Sequence, residues 1–314
     1  MDLRGGIPPR ESDRNGGRPQ ERHPTKEDPM STKPGTPDTI LLIHGLWMTP
    51  RSWEHFKERY ESRGYTVLAP AWPGMEVEVE ALNANPEIVT GLDIEQIVDH
   101  YDKIVRNLDR PPMIMGHSFG GAFTQILLDR GLGAVGVGLS AATVKGVLDL
   151  PLSTIRSSAP GLLKSKGKAA ALTPKEFHYA FANTLSEEES NAIYERYAVP
   201  GPTTVLHEAA FANFHREPPT KVDFARKGRA PLLLIGFGED HVIPAKVTRH
   251  QEAKYDDDVN ITEYKLFEGR PHFPGAPGWE EVADFALTWA MEHAGKTVDE
   301  HAAADAAMEG GTES

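Results

Sequence analysis

The chain has 314 residues, 39% hydrophobic and 25% charged, with 33 Lys and Arg against 46 Asp and Glu for a net charge of −13. This is enough chain for one large domain, or a domain with an insertion, of ordinary soluble composition. The acidic balance argues against a nucleic-acid surface and disfavours an anionic membrane surface, while zero cysteine excludes disulfides, thiolate metal sites and a cysteine nucleophile.

Residues 1 to about 37 are rich in Pro, Gly, Arg and Glu and almost without apolar side chains. Such a stretch cannot bury enough surface to offset its ordering entropy, so a disordered tail is expected. It has no apolar h-region, so no secretory signal is expected and the chain reads as cytoplasmic. The longest apolar runs, Ile40–Ile43 and Leu232–Ile235, are strand-sized, so no membrane insertion is expected.

Strand and helix signals then alternate. Thr39–His44 is an apolar run ending at Gly45, a buried strand. Thr49 as N-cap and Pro50 at the first helical position start a helix that runs to Arg63 and stops at Gly64. Tyr65–Ala71 is a second strand, followed by a loop. The helix from about Ile94 to Leu108 places Ile94, Ile97, Ile104, Val105 and Leu108 on one side. Met113–Met115 is a third strand, Gly120–Arg130 a helix ending at Gly131, and Ala134–Ala141 a glycine-rich fourth strand. Pro231–Phe237 and Ile261–Phe267 are the last two strands, each followed by a helix, Pro244–Tyr255 and Trp279–His293. Wholly apolar strands separated by helices predict an α/β fold, a mostly parallel sheet covered on both faces. From about Gly295 the chain turns Ala- and Glu-rich, a frayed helix or flexible tail over 295–314.

One stretch interrupts the alternation. From about 145 to 229 no strand signal is visible, whereas Thr173–Glu176 and Ser186–Glu189 both fit the capping box, and a helix over about Thr204–Phe214 puts Leu206, Ala210 and Phe214 on one ridge. Some eighty residues without a strand inside a parallel sheet predict a helical insertion, and one leaving a strand's C-terminal end lies over the crevice where such sheets bind ligands. The domain is therefore expected over 38–294, with a helical cap at about 145–229.

The segment Met113-Ile114-Met115-Gly116-His117-Ser118-Phe119-Gly120-Gly121 contains G-x-S-x-G. The pattern alone is common by chance. Here an apolar strand ends just before it and an apolar helix (Ala122, Phe123, Ile126, Leu127) begins just after, the context of a serine on a sharp strand-to-helix turn. The glycines allow close backbone approach, and the hydroxyl is left exposed near a helix N-terminus that favours a developing anion.

On these residues the chain resembles the α/β-hydrolase family, in particular its capped serine esterase-like members, over about Thr39 to His293. The resemblance implies Ser118 as nucleophile and an oxyanion-hole loop at His44-Gly45-Leu46-Trp47, with the backbone N–H groups of Leu46 and Phe119 binding the oxyanion. Nothing in residues 1–38 supplies the two antiparallel strands that many relatives carry first, so the sheet is expected to be shortened at that edge. The family order of Ser, acid, then His places the acid after the strand that follows the cap and the His after the last strand. Asp240, in Gly238-Glu239-Asp240-His241-Val242-Ile243-Pro244, is the better match, with Glu239 beside it as a substitute. His272, in Glu268-Gly269-Arg270-Pro271-His272-Phe273, sits where the base is required. His241 abuts the acid, and His44 and His117 are read as packing or hydrogen-bonding residues in their loops.

The arrangement implies acyl-enzyme hydrolysis with no cofactor and a small-molecule substrate. No cluster of His, Asp and Glu shows ligand spacing, so no metal is expected. Trp47, Trp72, Met75 and Phe273 follow strand ends on the ligand face and are candidates for a substrate pocket, ordinary packing between cap and core being the other reading. Phe177, Phe181 and Phe211 stand between the same two readings. A carboxylic ester is the first substrate choice. Lactone opening, C–C hydrolysis or perhydrolysis by the same triad, and a non-enzymatic small-molecule receptor, are the rivals.

Overall fold

The computed structural model describes residues 37–298, 300 and 301. The predicted N-terminal tail and the end of the chain from residue 302 lie outside these residues. β1 (Thr39–Ile43) leads through a 3₁₀ turn, Pro50–Trp53, into α1 (Glu54–Ser62), and the Thr49 side chain caps that turn by accepting the Arg51 N–H. β2 (Thr66–Leu68) is followed by α2 (Val79–Ala84), a 3₁₀ turn at Pro86–Val89 and α3 (Ile94–Arg106). The stretch expected as a plain loop before Ile94 thus holds short helices. Neither has a side-chain N-cap or a full apolar period, and packing of Val79, Leu82 and Val89 into the core fixes them.

β3 (Met113–His117) runs straight into α4 (Phe119–Asp129), and β4 (Val135–Leu139) follows. Beyond the segment described next come β7 (Leu232–Phe237), α9 (Ala245–Glu252), β8 (Thr262–Phe267) and α10 (Trp279–His293). The six long strands form one wholly parallel sheet in the order β2-β1-β3-β4-β7-β8. Among the described residues no antiparallel strand extends it past β2. Alternation along β1 sends Ile40 and Leu42 into the core shared with α1 and α10, and Leu41 and Ile43 into the core shared with α3 and α4. No helix among the described residues is long and apolar enough to cross a membrane.

The 145–229 stretch is mainly helical: α5 (Leu152–Leu162), α6 (Pro174–Phe181), α7 (Glu187–Tyr197) and α8 (Thr203–Ala210). Both predicted capping boxes are present, at Thr173/Glu176 and Ser186/Glu189. Three expectations need correction. Two short strands, β5 (Ala169–Ala170) and β6 (Gly201–Pro202), pair antiparallel, which two-residue pieces without an alternating pattern cannot announce. α5 begins without a side-chain cap and contains Pro160, so the sequence hides it; packing against α8 holds it. The helix expected over Thr204–Phe214 ends at Ala210 and breaks into a 3₁₀ turn, leaving Phe214 exposed, so Leu206 and Phe214 do not share a buried ridge. Past α10, Val298, Glu300 and His301 are helical, and Thr297 and Glu300 cap each other.

Two glycines let α4 reach the sheet. A Cβ at Gly120 would lie 2.0 Å from the Ile43 carbonyl oxygen, and one at Gly116 would lie 2.0 Å from the Gly120 oxygen. Both obstacles are backbone, so no rotamer change relieves them. Gly120→Ala should cost about 3 kcal/mol or more of stability, measured by urea unfolding. A variant with the wild-type midpoint would refute this packing.

Candidate active site

Ser118 occupies the one-residue turn between β3 and α4 with φ 54° and ψ −119°, a backbone region that side-chain-bearing residues rarely adopt. The strain is held from both sides. The Ser118 N–H donates to the Leu139 carbonyl at 3.0 Å, and its carbonyl accepts from Gly121, Ala122 and Ala142 at 2.9, 3.2 and 2.8 Å. Phe119 is the first residue of α4, so its N–H is one of the helix's orphan donors.

The His44–Trp47 loop lies against this turn. A Cβ on Gly45 would stand 2.8 Å from Ser118 Cβ, so the loop backbone abuts the serine. His44 holds the loop. The Trp72 N–H can only donate, so His44 Nε2 accepts at 3.2 Å and Nδ1 carries the proton, donating to the Gly45 carbonyl at 3.0 Å. The Trp72 ring stacks on His44 at 4.9 Å. Trp47 has φ 64° and is tied to the 145–229 segment: its indole N–H donates to the Ala170 carbonyl at 2.9 Å, and its carbonyl accepts from Val199 at 3.0 Å. Among the turn and loop bonds of the described residues, no backbone carbonyl takes up the Leu46 or the Phe119 N–H.

The loops after β7 and β8 bring Asp240 and His272 together. His272 Nδ1 and Asp240 Oδ2 are 2.6 Å apart, with both side chains fully buried. Asp240 Oδ1 accepts from the Val242 and Ile243 N–H groups at 2.7 and 2.8 Å, which holds the carboxylate in place. Glu239 is exposed and does not reach this pair. With Nδ1–H given to Asp240, the His272 Nε2 lone pair is buried and takes no hydrogen bond, from Ser118 or from any other described residue. The ring lies beside the serine turn, 4.5 Å from that of His117, whose Nε2–H donates to the His272 carbonyl at 2.8 Å. His241 instead donates from Nδ1 to the Tyr179 carbonyl at 2.8 Å.

The centre is closed to solvent: Ser118 is 4% exposed and His272 fully buried. Trp47, Trp72, Met75 and Phe273 are all buried. Trp47 and Phe273 sit at the contact with the 145–229 segment, where the Phe273 N–H donates to the Phe181 carbonyl at 2.9 Å. Phe181 packs edge-on to His272 at 4.8 Å and is itself stacked on Phe177 at 5.0 Å, so these two face the centre, while Phe211 is half exposed away from it. More straps cross here. The Thr154 and Ser157 hydroxyls donate to the Val242 and His241 carbonyls at 2.8 and 3.2 Å, and the Asn183 amide donates to the Glu239 carbonyl at 3.0 Å. These partners are missing from the sequence reading because each pair is 56 or more residues apart and follows no motif.

A model of the alpha/beta hydrolase family matches residues 40–285, so the chain belongs to that family. Among curated proteins, none matches it. Among solved structures, polyneuridine aldehyde esterase aligns with a TM-score of 0.58 at 18% identity, over 81% of this chain and 99% of that one. The monoacylglycerol lipase of Paleococcus ferrophilus gives 0.57 at 20% identity, over 82% and 96%. A pyrethroid hydrolase of Sphingobium faniae gives 0.59 at 17%, over 82% and 98%. At these identities the likeness is one of fold.

Burial holds two histidines of the centre neutral. It lowers His44 from its ordinary 6.5 to about 4, partly offset by the Gly45 hydrogen bond, and it pushes His117 well below the usual histidine range, helped by the neighbouring His272. Both are depressed in the folded state, so between about pH 6.5 and 4 the unfolded chain binds more protons and stability falls with pH. His44 alone accounts for roughly 3 kcal/mol across that window. Urea unfolding at pH 7 and pH 4.5 should reveal the loss, and His44→Gln, which keeps an acceptor for the Trp72 N–H, should flatten it. Identical pH dependence in the two proteins would sink the assignment.

Proposed function

We propose that the protein is a serine hydrolase that cleaves a small carboxylic ester through an acyl-enzyme on Ser118, with His272 as base and Asp240 as its orienting acid. The observation that carries this reading is the buried 2.6 Å His272–Asp240 pair beside a serine held at φ 54° at a helix N-terminus. The bonds from Val242 and Ile243 hold the Asp240 carboxyl group against His272 Nδ1, which keeps the Nδ1–H tautomer of His272 and turns the Nε2 lone pair to proton transfer.

The reaction follows from these roles. His272 Nε2 takes the Ser118 hydroxyl proton as Oγ attacks the ester carbonyl. The tetrahedral oxyanion is held by the Leu46 and Phe119 N–H groups, each worth about a hundredfold or more in rate. His272 gives its proton to the leaving alcohol. Water, deprotonated by His272, then attacks the acyl-enzyme and releases the acid and Ser118. Asp240 keeps its charge throughout and stabilises the imidazolium. The 145–229 segment acts as a cap, and with Ser118 almost wholly covered it must shift to admit substrate. The apolar side chains Trp47, Phe181 and Phe273, where the 145–229 segment meets the centre, favour a neutral, hydrophobic acyl or alcohol group. The names of the structural neighbours, an esterase, a lipase and a pyrethroid hydrolase, run in the same direction.

The missing Ser118–His272 hydrogen bond and the closed centre favour one other reading, a small-molecule receptor that does not turn over. A fluorophosphonate probe separates the two. The ester-hydrolase reading requires labelling at Ser118, mapped by mass spectrometry, that heat denaturation abolishes. Folded protein that stays unlabelled and leaves a panel of short-chain esters intact would favour the receptor. Ser118→Ala should lower kcat by about a millionfold, whereas Asp240→Asn should cost about ten-thousandfold. Substantial activity left in Ser118→Ala would overturn the assignment.

A further inference from the structure

The edge of the sheet carries a cluster that the proposed reaction does not use. Glu263 lies on β8, the last strand in the sheet, near the end opposite the His272 loop. His293 is the final residue of α10, and His301 follows on the helical turn begun by Thr297. Three donor atoms, a Glu263 oxygen and one ring nitrogen from each histidine, all lie within 4.8 Å of one another. Sequence spacing gave no sign of this, because Glu263 is thirty residues before His293 and joins it only through the β8–α10 packing.

We propose that Glu263, His293 and His301 form a binding site for one divalent transition-metal ion of the zinc class, which ties the segment after α10 to the sheet edge. The spacing fits. Glu263 Oε1 is 3.4 Å from His293 Nε2 and 3.4 Å from His301 Nε2. That is long for a hydrogen bond, but two ligands held about 2.0–2.1 Å from a tetrahedral ion stand about 3.3 Å apart.

The surrounding contacts aim these atoms. His293 Nδ1 gives its proton to the Trp289 carbonyl at 2.8 Å, so in the neutral ring Nε2 presents a lone pair. That lone pair faces a carboxylate oxygen, acceptor against acceptor, and a cation between them resolves the conflict. The Trp289 indole N–H donates to Glu263 Oε2 at 2.8 Å, which leaves Oε1 as the single oxygen turned to the two imidazoles. Trp289 also stacks on the His293 ring at 4.2 Å and fixes its plane. Hydrogen bonds of this kind, to the far side of each ligand, are how proteins orient metal-binding histidines and carboxylates. Two imidazoles and one carboxylate select zinc and its transition-metal neighbours over magnesium or calcium, which prefer all-oxygen shells. Three protein ligands leave a fourth position for water.

The ion is placed to act on structure. Its ligands come from an edge strand, the end of the last long helix and the turn after it, so binding adds to the contacts of Glu263 with Trp289, His293 and His301 that already join these pieces. The other cation able to occupy this place is a proton on His293, and the test distinguishes the two.

Tag-free full-length protein, stripped with chelator, is titrated calorimetrically with ZnCl₂ beside Glu263→Gln and His301→Ala. Glu263→Gln keeps the shape of the side chain and its contact with Trp289, and His301→Ala changes only the terminal turn. The expected result is one saturable Zn²⁺ per chain at micromolar concentration, weakened in each variant by about tenfold or more, with a Zn²⁺-dependent rise in Tm that the variants lose. Co²⁺ in place of Zn²⁺ should give visible absorption that His301→Ala abolishes. No saturable binding at micromolar Zn²⁺, or equal affinity in wild type and both variants, overturns the site and leaves the cluster held by a proton. Hydrolysis by the His301→Ala variant should match wild type, since the cluster lies away from Ser118.

Discussion

The backbone-to-backbone contact between Gly120 and the end of β1 is the constraint on which the rest of the centre depends. Helix α4 can begin at Phe119 only because Gly116 and Gly120 present no Cβ to the Gly120 and Ile43 carbonyls. That approach forces the turn at Ser118 into positive φ, and it sets the His44–Trp47 loop against the serine, with Gly45 as the point of contact. One packing decision therefore fixes three things at once: the backbone of Ser118, the Phe119 N–H at the start of α4 and the position of the His44–Trp47 loop. The strain of order 1–3 kcal/mol at such a residue is sustained by four backbone hydrogen bonds around Ser118 and by an α4 buried along almost its whole length.

Around that turn lies a shell of neutral, buried histidines. His44 is locked between Trp72 and Gly45, and His117 is locked to the His272 carbonyl. Each is anchored through a ring nitrogen and kept uncharged by burial. They position the two loops, and the single buried carboxylate of the centre is the one bonded to His272. Asp240 is satisfied by two N–H groups of its own turn in addition to His272, so its buried oxygens are all partnered.

The 145–229 segment closes the centre by bonds that are individually ordinary. Trp47 to Ala170 and Val199, Phe273 to Phe181, His241 to Tyr179, and Thr154 to Val242 tie it to the loops that carry the key residues. The bonded partners on the centre's side are residues next to Leu46, Asp240 or His272.

The resemblance to the α/β-hydrolase family pointed to the residues after β7 and β8, whereas the sequence alone determined the parallel α/β class, the six strands and the serine turn. These are written in local patterns: apolar runs of strand length, glycines two residues either side of a serine, and capping boxes such as Thr173/Glu176. The family pattern made Asp240 the better match with Glu239 left as a substitute, and burial and the bond to His272 set the two apart in space. Only tertiary structure decided the rest. Helix α5, ended within a Pro-containing stretch, and the β5–β6 pair have weak local signals and exist through packing. The meeting of Glu263, His293 and His301 follows from how α10 lies along β8, a long-range contact with no period or motif in the chain. Local physics writes backbone geometry into sequence, whereas the convergence of side chains from distant elements is settled only when the sheet and its helices pack.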